Sequence, residues 1–252
     1  MLIAQKDHVP RVGAHFLSLA AALLDWFEVG TSNGNRLGEW AQPSGRAHLG
    51  DHQLNIFGET QAFTLPDVRG QLKSKVRVPG VLILAHILVA YVCMWLRWRT
   101  QKNGDNEQER MWATNPNPNG RSLTRPLYNI IKRFVHLRGS ADSITPLGIY
   151  QHSDGSIRHI TDRDIELSMR ALAATVYKLC PIKDKKALQL WSSHSLRVGA
   201  CVILHSMGFT GPQIQYILRW RSNAFMTYLR NCLILAQKQN AALDEAGPMP
   251  QI

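Results

Sequence analysis

The stretch VPGVLILAHILVAYVCMWL, Val78 to Leu96, is nearly all apolar, and nothing else in the chain limits its fold so strongly. An apolar run approaching ~20 residues either crosses a bilayer as a helix or is buried in a protein core. Pro79, Gly80 and His86 interrupt it, and its second half is rich in β-branched and aromatic residues. That half runs into the alternating tail LRWRTQ, which predicts a buried strand leaving the core rather than a membrane span. The 252 residues are enough to surround such a strand with one large domain.

The remainder reads as helices with a few strands. HFLSLAAALLDWFEVG has the apolar face of a helix, and Ala62–Val68 (AFTLPDV) reads as a short strand. Tyr91–Gln101 and Glu109–Thr114 are expected to pair as a hairpin across the turn-forming KNGDN, with TNPNPNG as a loop beyond it. In RPLYNIIKRFVHLRG, Leu127, Ile130, Ile131, Phe134 and Val135 share a face, with Pro126 suited to the first turn and Gly139 to the end. IYQHSDGSIRHIT contains a tight turn. Thr161 and Asp164 resemble a capping box opening a helix that carries Ile165, Met169, Leu172, Val176 and Leu179. No internal repeat is present. The expected class is α+β, mostly helical, with a small antiparallel sheet or hairpin against a helical core.

Lysine and arginine outnumber aspartate and glutamate by 29 to 18, a net charge of +11, while 45% of the chain is hydrophobic and only 19% charged. That balance describes a folded basic protein and excludes a disordered basic tail. It points to an anionic partner such as nucleic acid, although a basic surface also serves solubility alone. Cys93, Cys180, Cys201 and Cys232 form no CxxC pair, which fits a reducing, intracellular setting and no zinc knuckle or disulfide framework. His48 and His52 stand four residues apart, but carboxylate or thiolate partners for a metal are sparse around them. MLIAQKDHVPR lacks the apolar core of a signal peptide.

The most specific pattern lies in WSSHSLRVGA. Ser192 or Ser193 is placed to cap a helix whose core face is Leu196, Ala200, Ile203 and Met207 and which Gly208 ends. His194 and Arg197 then share a face near the N-terminus, where free backbone N–H groups and the helix dipole favour an anion. A lone HxxR is ordinarily a surface pair. Here Trp220 lies 23 residues beyond Arg197, and Tyr228 eight beyond Trp220, in RWRSNAFMTYLRN. Upstream, GNRLGEW supplies Arg36 and Glu39, and Lys102 sits at the turn of RWRTQKNGDNEQER. In this order the residues resemble the catalytic signature of tyrosine recombinases, the phage-integrase-like enzymes that cut and rejoin DNA. The match spans Arg36 to Tyr228, and the RWRSNAFMTYLR form is closest in style to recombinases of eukaryotic mobile elements.

The resemblance implies a tyrosine-recombinase catalytic domain over residues 1–252, with 229–252 a C-terminal helix or tail for subunit contacts. Arg36, His194 and Arg197 would neutralise the nonbridging oxygens of a phosphodiester. Tyr228 would form a covalent 3′-phosphotyrosyl link, Lys102 would protonate the 5′-hydroxyl, Trp220 would donate or buttress, and Glu39 would support Arg36. Such chemistry uses neither metal nor ATP, and no Walker-type motif is present. The implied partner is double-stranded DNA, with a monomer in isolation, a homo-tetramer on paired DNA sites and no membrane. The pattern departs from the family in three places. Only 35 residues precede Arg36, so the helical core-binding domain is expected to be missing. Arg219 stands where many relatives carry glycine, and the Trp-to-Tyr interval is one residue shorter than in many bacterial members. A type IB topoisomerase, a noncatalytic DNA-binding remnant and a membrane protein are the competing readings.

Overall fold

The computed structural model describes residues 15–50, 60–85, 90–99, 107–115, 117, 122–220 and 222–229, with isolated positions at 237 and 241. Within them the chain is α+β. Helices and 3-10 turns hold about half of the described residues, so it is less helical than its sequence suggests.

Helix α1, Leu19–Asn33, is started by Ser18, whose hydroxyl accepts from the Ala21 N–H at 3.3 Å. It stops at Gly34, where φ of 57° gives the left-handed conformation that glycine adopts most easily. The next described segment departs from the sequence reading. Ala62–Val68 is not one strand, because Pro66 sits in a 3-10 turn, Leu65–Asp67, closed by the Asp67 carboxylate on the Thr64 N–H at 2.8 Å. Strand β1 begins only at Val68 and runs to Leu72, and Arg77–Pro79 is β2.

The long apolar run divides at Gly80. Gly80–Ala85 forms 3-10 turns, and Tyr91–Trp98 is strand β3, paired antiparallel with β4, Gln108–Ala113. The sheet order is β2-β1-β3-β4, all antiparallel. β3 is one of the two interior strands, with Met94, Leu96 and Trp98 buried, which is why its sequence is apolar enough to mimic a span. Among the described residues, no helix is long and apolar enough to cross a membrane.

Helix α2, Thr124–Arg138, buries Leu127, Ile130, Ile131 and Phe134. It is tied to α1 by a buried ion pair, Arg133 to Asp25 at 2.5 Å. The turn in IYQHSDGSIRHIT proves to be a hairpin, β5 (Ile149–Gln151) with β6 (Ile157–His159). Thr161 then caps α3, Asp162–Tyr177, through a reciprocal pair with Asp164. A short α4, Lys185–Gln189, leads to α5 (Ser193–Ser206), α6 (Gly211–Leu218) and a single turn, α7 (Met226–Leu229).

These elements enclose two apolar clusters. The larger joins α1, the sheet, α2, the β5–β6 hairpin and α3; the smaller contains Ala200, Cys201, Ile214, Leu218, Phe225 and Leu229. Trp220 and Tyr228 are half-buried on the smaller one. Met207, expected on the core face of α5, is 69% exposed instead, because the helix ends at Ser206 and Met207 is its C-cap; Ile203 is only half-buried, and the buried residues of the helix are Leu196, Ala200 and Cys201.

Candidate functional site

Ser192, in extended conformation, caps α5, and the Ser195 hydroxyl accepts from its N–H at 3.2 Å. The cap fixes His194 in the first turn, exposed, and Arg197 one turn later, half-buried. The Arg197 guanidinium donates through Nη1 to the Gly34 carbonyl at 2.5 Å and through Nη2 to the Leu218 carbonyl at 3.2 Å. It therefore links the end of α1, α5 and the end of α6. Its carbon lies 5.0 Å from the Trp220 ring centroid, in cation–π range. The Trp220 ring is 5.5 Å from that of Tyr228, and Tyr228 is 5.3 Å from His194, edge-on at 67°.

Arg36 approaches from the turn after α1. The left-handed Gly34 turns the chain, and the Arg36 N–H donates to Glu39 Oε2 at 3.0 Å. Arg36 Nη1 is buried without a hydrogen-bond partner among the described residues. Burial first, then the positive charges of Arg36 and Arg219, push the Arg197 guanidinium down to about 10. His194, Arg197, Trp220 and Tyr228 thus touch in a chain, with Arg36 close enough to perturb Arg197. Lys102 lies outside the described residues, as does most of 229–252; the strands flanking Lys102 are β3 and β4.

Glu39 does more than support Arg36. Its carboxylate is buried and takes a two-pronged ion pair from Arg219, Nη1 at 2.9 Å and Nη2 at 2.8 Å, together with the Trp98 indole N–H at 3.1 Å. The Arg219 guanidinium also stacks 4.1 Å from the Trp98 ring. Arg219 closes α6 with φ of 57°, a left-handed position where glycine is the ordinary choice. This accounts for the arginine at a position where the resemblance leads one to expect glycine: the turn is kept, and the side chain is used to clamp Glu39. Trp98 and Arg219 are the residues the motif reading did not include in the site. The one trace they left in the sequence was the missing glycine.

Glu39 is committed to Arg219, so among the described residues Arg36 and Arg197 form no salt bridge with a carboxylate of their own. Two such guanidiniums, one carrying an open donor, beside the N-terminus of a 14-residue helix form a place an oxyanion would complete. Other tyrosines are differently engaged. The Tyr91 hydroxyl donates to the Ile83 carbonyl at 2.7 Å, and burial pushes it up to about 12. Tyr177 stacks on Trp191, and Tyr216 lies under the Arg110 guanidinium. A cavity of about 650 Å³, lined in part by Glu28, Trp112, Met207 and Tyr216, includes none of the five converging residues. Among the described residues, no three His, Cys, Asp or Glu side chains gather as a metal site; His52 is outside them.

No protein-family model matches the sequence, and a search of curated proteins finds no significant match.

Proposed function

We propose that this chain is the catalytic domain of a tyrosine-recombinase-like enzyme that breaks and rejoins double-stranded DNA through a phosphotyrosine. The observation that carries the reading is the meeting of two guanidiniums, Arg36 and Arg197, neither in a salt bridge with a carboxylate among the described residues, with the imidazole, indole and phenol of His194, Trp220 and Tyr228. These groups come from three separated parts of the sequence. In the proposed reaction the two arginines hold the nonbridging oxygens of one phosphodiester, where charge builds in the transition state. The Tyr228 oxygen attacks phosphorus, forming the P–O(Tyr) bond as the bond to the 5′-oxygen breaks. His194 is the neighbouring group able to take the phenolic proton, and Lys102 is assigned the proton delivered to the 5′-hydroxyl. Rejoining is the reverse, so the bond energy is kept in the phosphotyrosyl link and no nucleotide is consumed.

Replacing Tyr228 with Phe keeps the ring between His194 and Trp220 and removes only the attacking oxygen. With a nicked duplex whose cleaved end diffuses away, the unaltered chain should yield a protein–DNA adduct stable on a denaturing gel, and Tyr228→Phe should yield none. An adduct that persists in the variant would move the nucleophile elsewhere. Binding without any adduct from the unaltered chain would favour a noncatalytic DNA-binding protein.

A further inference from the structure

Between α3 and α5 runs KLCPIKDKKALQLW, residues 178–191, with Lys178, Lys183, Lys185 and Lys186 all exposed. Its one carboxylate, Asp184, is turned inward on the loop, accepting the Cys180 N–H at 2.7 Å. The four lysine side chains are exposed, four positive charges against the single carboxylate of the loop. Two constraints hold them near the site described above. The Tyr177 and Trp191 rings are 5.3 Å apart, which pins the start of the loop to the residue just before the α5 cap. Lys186 is eight residues before His194, a separation the chain spans in at most ~28 Å. That is less than one helical turn of B-DNA, ~34 Å.

We infer that this lysine loop is a backbone-gripping surface for duplex DNA, holding phosphates within one helical turn of the phosphate bound at Arg36 and Arg197. The inference rests on the DNA-cleaving reading of that site. Lysines suit this task because a compact ammonium on a flexible stem contacts phosphate as a point charge without reading sequence. Ile182 and Leu190, 87% and 80% exposed, lie among the lysines, a mixture that an anionic bilayer would also accept. DNA is favoured by the loop's attachment to the anion-facing end of α5.

The test compares two charge-matched double variants of the full chain: Lys185→Gln/Lys186→Gln in the loop, and Lys132→Gln/Arg163→Gln at exposed positions on α2 and α3. Binding of a fluorescent duplex of about 30 base pairs, three helical turns, is measured by anisotropy over a range of salt. Each lost phosphate contact removes ~0.9 from the slope of log affinity against log salt, so the loop variant should lose about 1.8. The control should keep its slope. Equal losses in the two variants would overturn the inference as a net-charge effect. So would an unchanged loop variant, or a loop variant impaired on phosphatidylserine vesicles but not on DNA. Adduct formation by the unaltered chain is scored separately. An adduct with equal slopes defeats the loop alone, whereas a slope difference without an adduct keeps the loop and defeats the cleavage reading.

Discussion

Arg219 shows how much one side chain can be asked to do. As a non-glycine residue at φ of 57° it carries a conformational cost of ~1–2 kcal/mol, and its guanidinium is buried against the Glu39 carboxylate. Arg219→Gly relieves the backbone but leaves Glu39 buried without its cation. Breaking a buried pair from one side costs ~3–5 kcal/mol. After the glycine gain, the net loss should be about 3 kcal/mol, or roughly 6–12 °C in Tm for a chain of this size. The double variant Glu39→Gln/Arg219→Gly should recover most of that loss in denaturant titrations. Strictly additive losses would mean the two residues are not coupled.

The elements were mostly legible as elements, and the misreadings have local causes. Periodicity marked α1, and periodicity with boundary residues marked α2, α3 and α5, since Gly139, Thr161 and Ser192 have known capping chemistry; the Ser18 cap of α1 emerged only in the structure. The β3–β4 hairpin followed from alternation. The strand expected at Ala62–Val68 failed because Thr64 and Asp67 close a turn around Pro66, a three-residue device that outweighs the propensity of the flanking residues. The same neighbourhood predicts a sensitive position. A Cβ on Gly80 would stand 2.0 Å from the Leu65 carbonyl oxygen and 3.0 Å from that of Val68. Both are backbone atoms that cannot step aside. Gly80→Ala should therefore destabilise by about 3 kcal/mol or more. Gly199→Ala, within α5 and with no described residue outside its own helix backbone within 4 Å of the new methyl, should instead gain about 0.5–1 kcal/mol. Thermal melts of the two variants read this directly, and a neutral Gly80→Ala would mean that the 3-10 turns are not packed on Leu65 as described.

For the whole molecule, charge and apolar burial pull in opposite directions. A net +11 opposes self-association in the absence of a polyanion. Leu229, which opens the segment 229–252 expected to make subunit contacts, is buried in the domain's own smaller cluster, while most of the rest of that segment lies outside the described residues. The free chain should sediment as a monomer and reach a tetramer only on duplexes carrying paired sites. A stable tetramer without DNA would contradict this.

What the sequence determined by itself was the set of elements and the order of chemically unusual residues, because caps, periodicity and motif spacing are short-range properties. It placed Arg36, Glu39, His194, Arg197, Trp220 and Tyr228 on particular elements without showing that five of them would approach one another. Only the tertiary structure decided that Glu39 pairs with Arg219, 180 residues away, leaving Arg36 and Arg197 without a salt-bridged carboxylate among the described residues. The physical reason is that charge compensation in a buried site depends on which groups meet in space. A left-handed turn at Arg219 and the packing of α5 on both α1 and α6, with Arg197 joining the ends of the two, set that meeting, and the helix packing has no signature in local sequence.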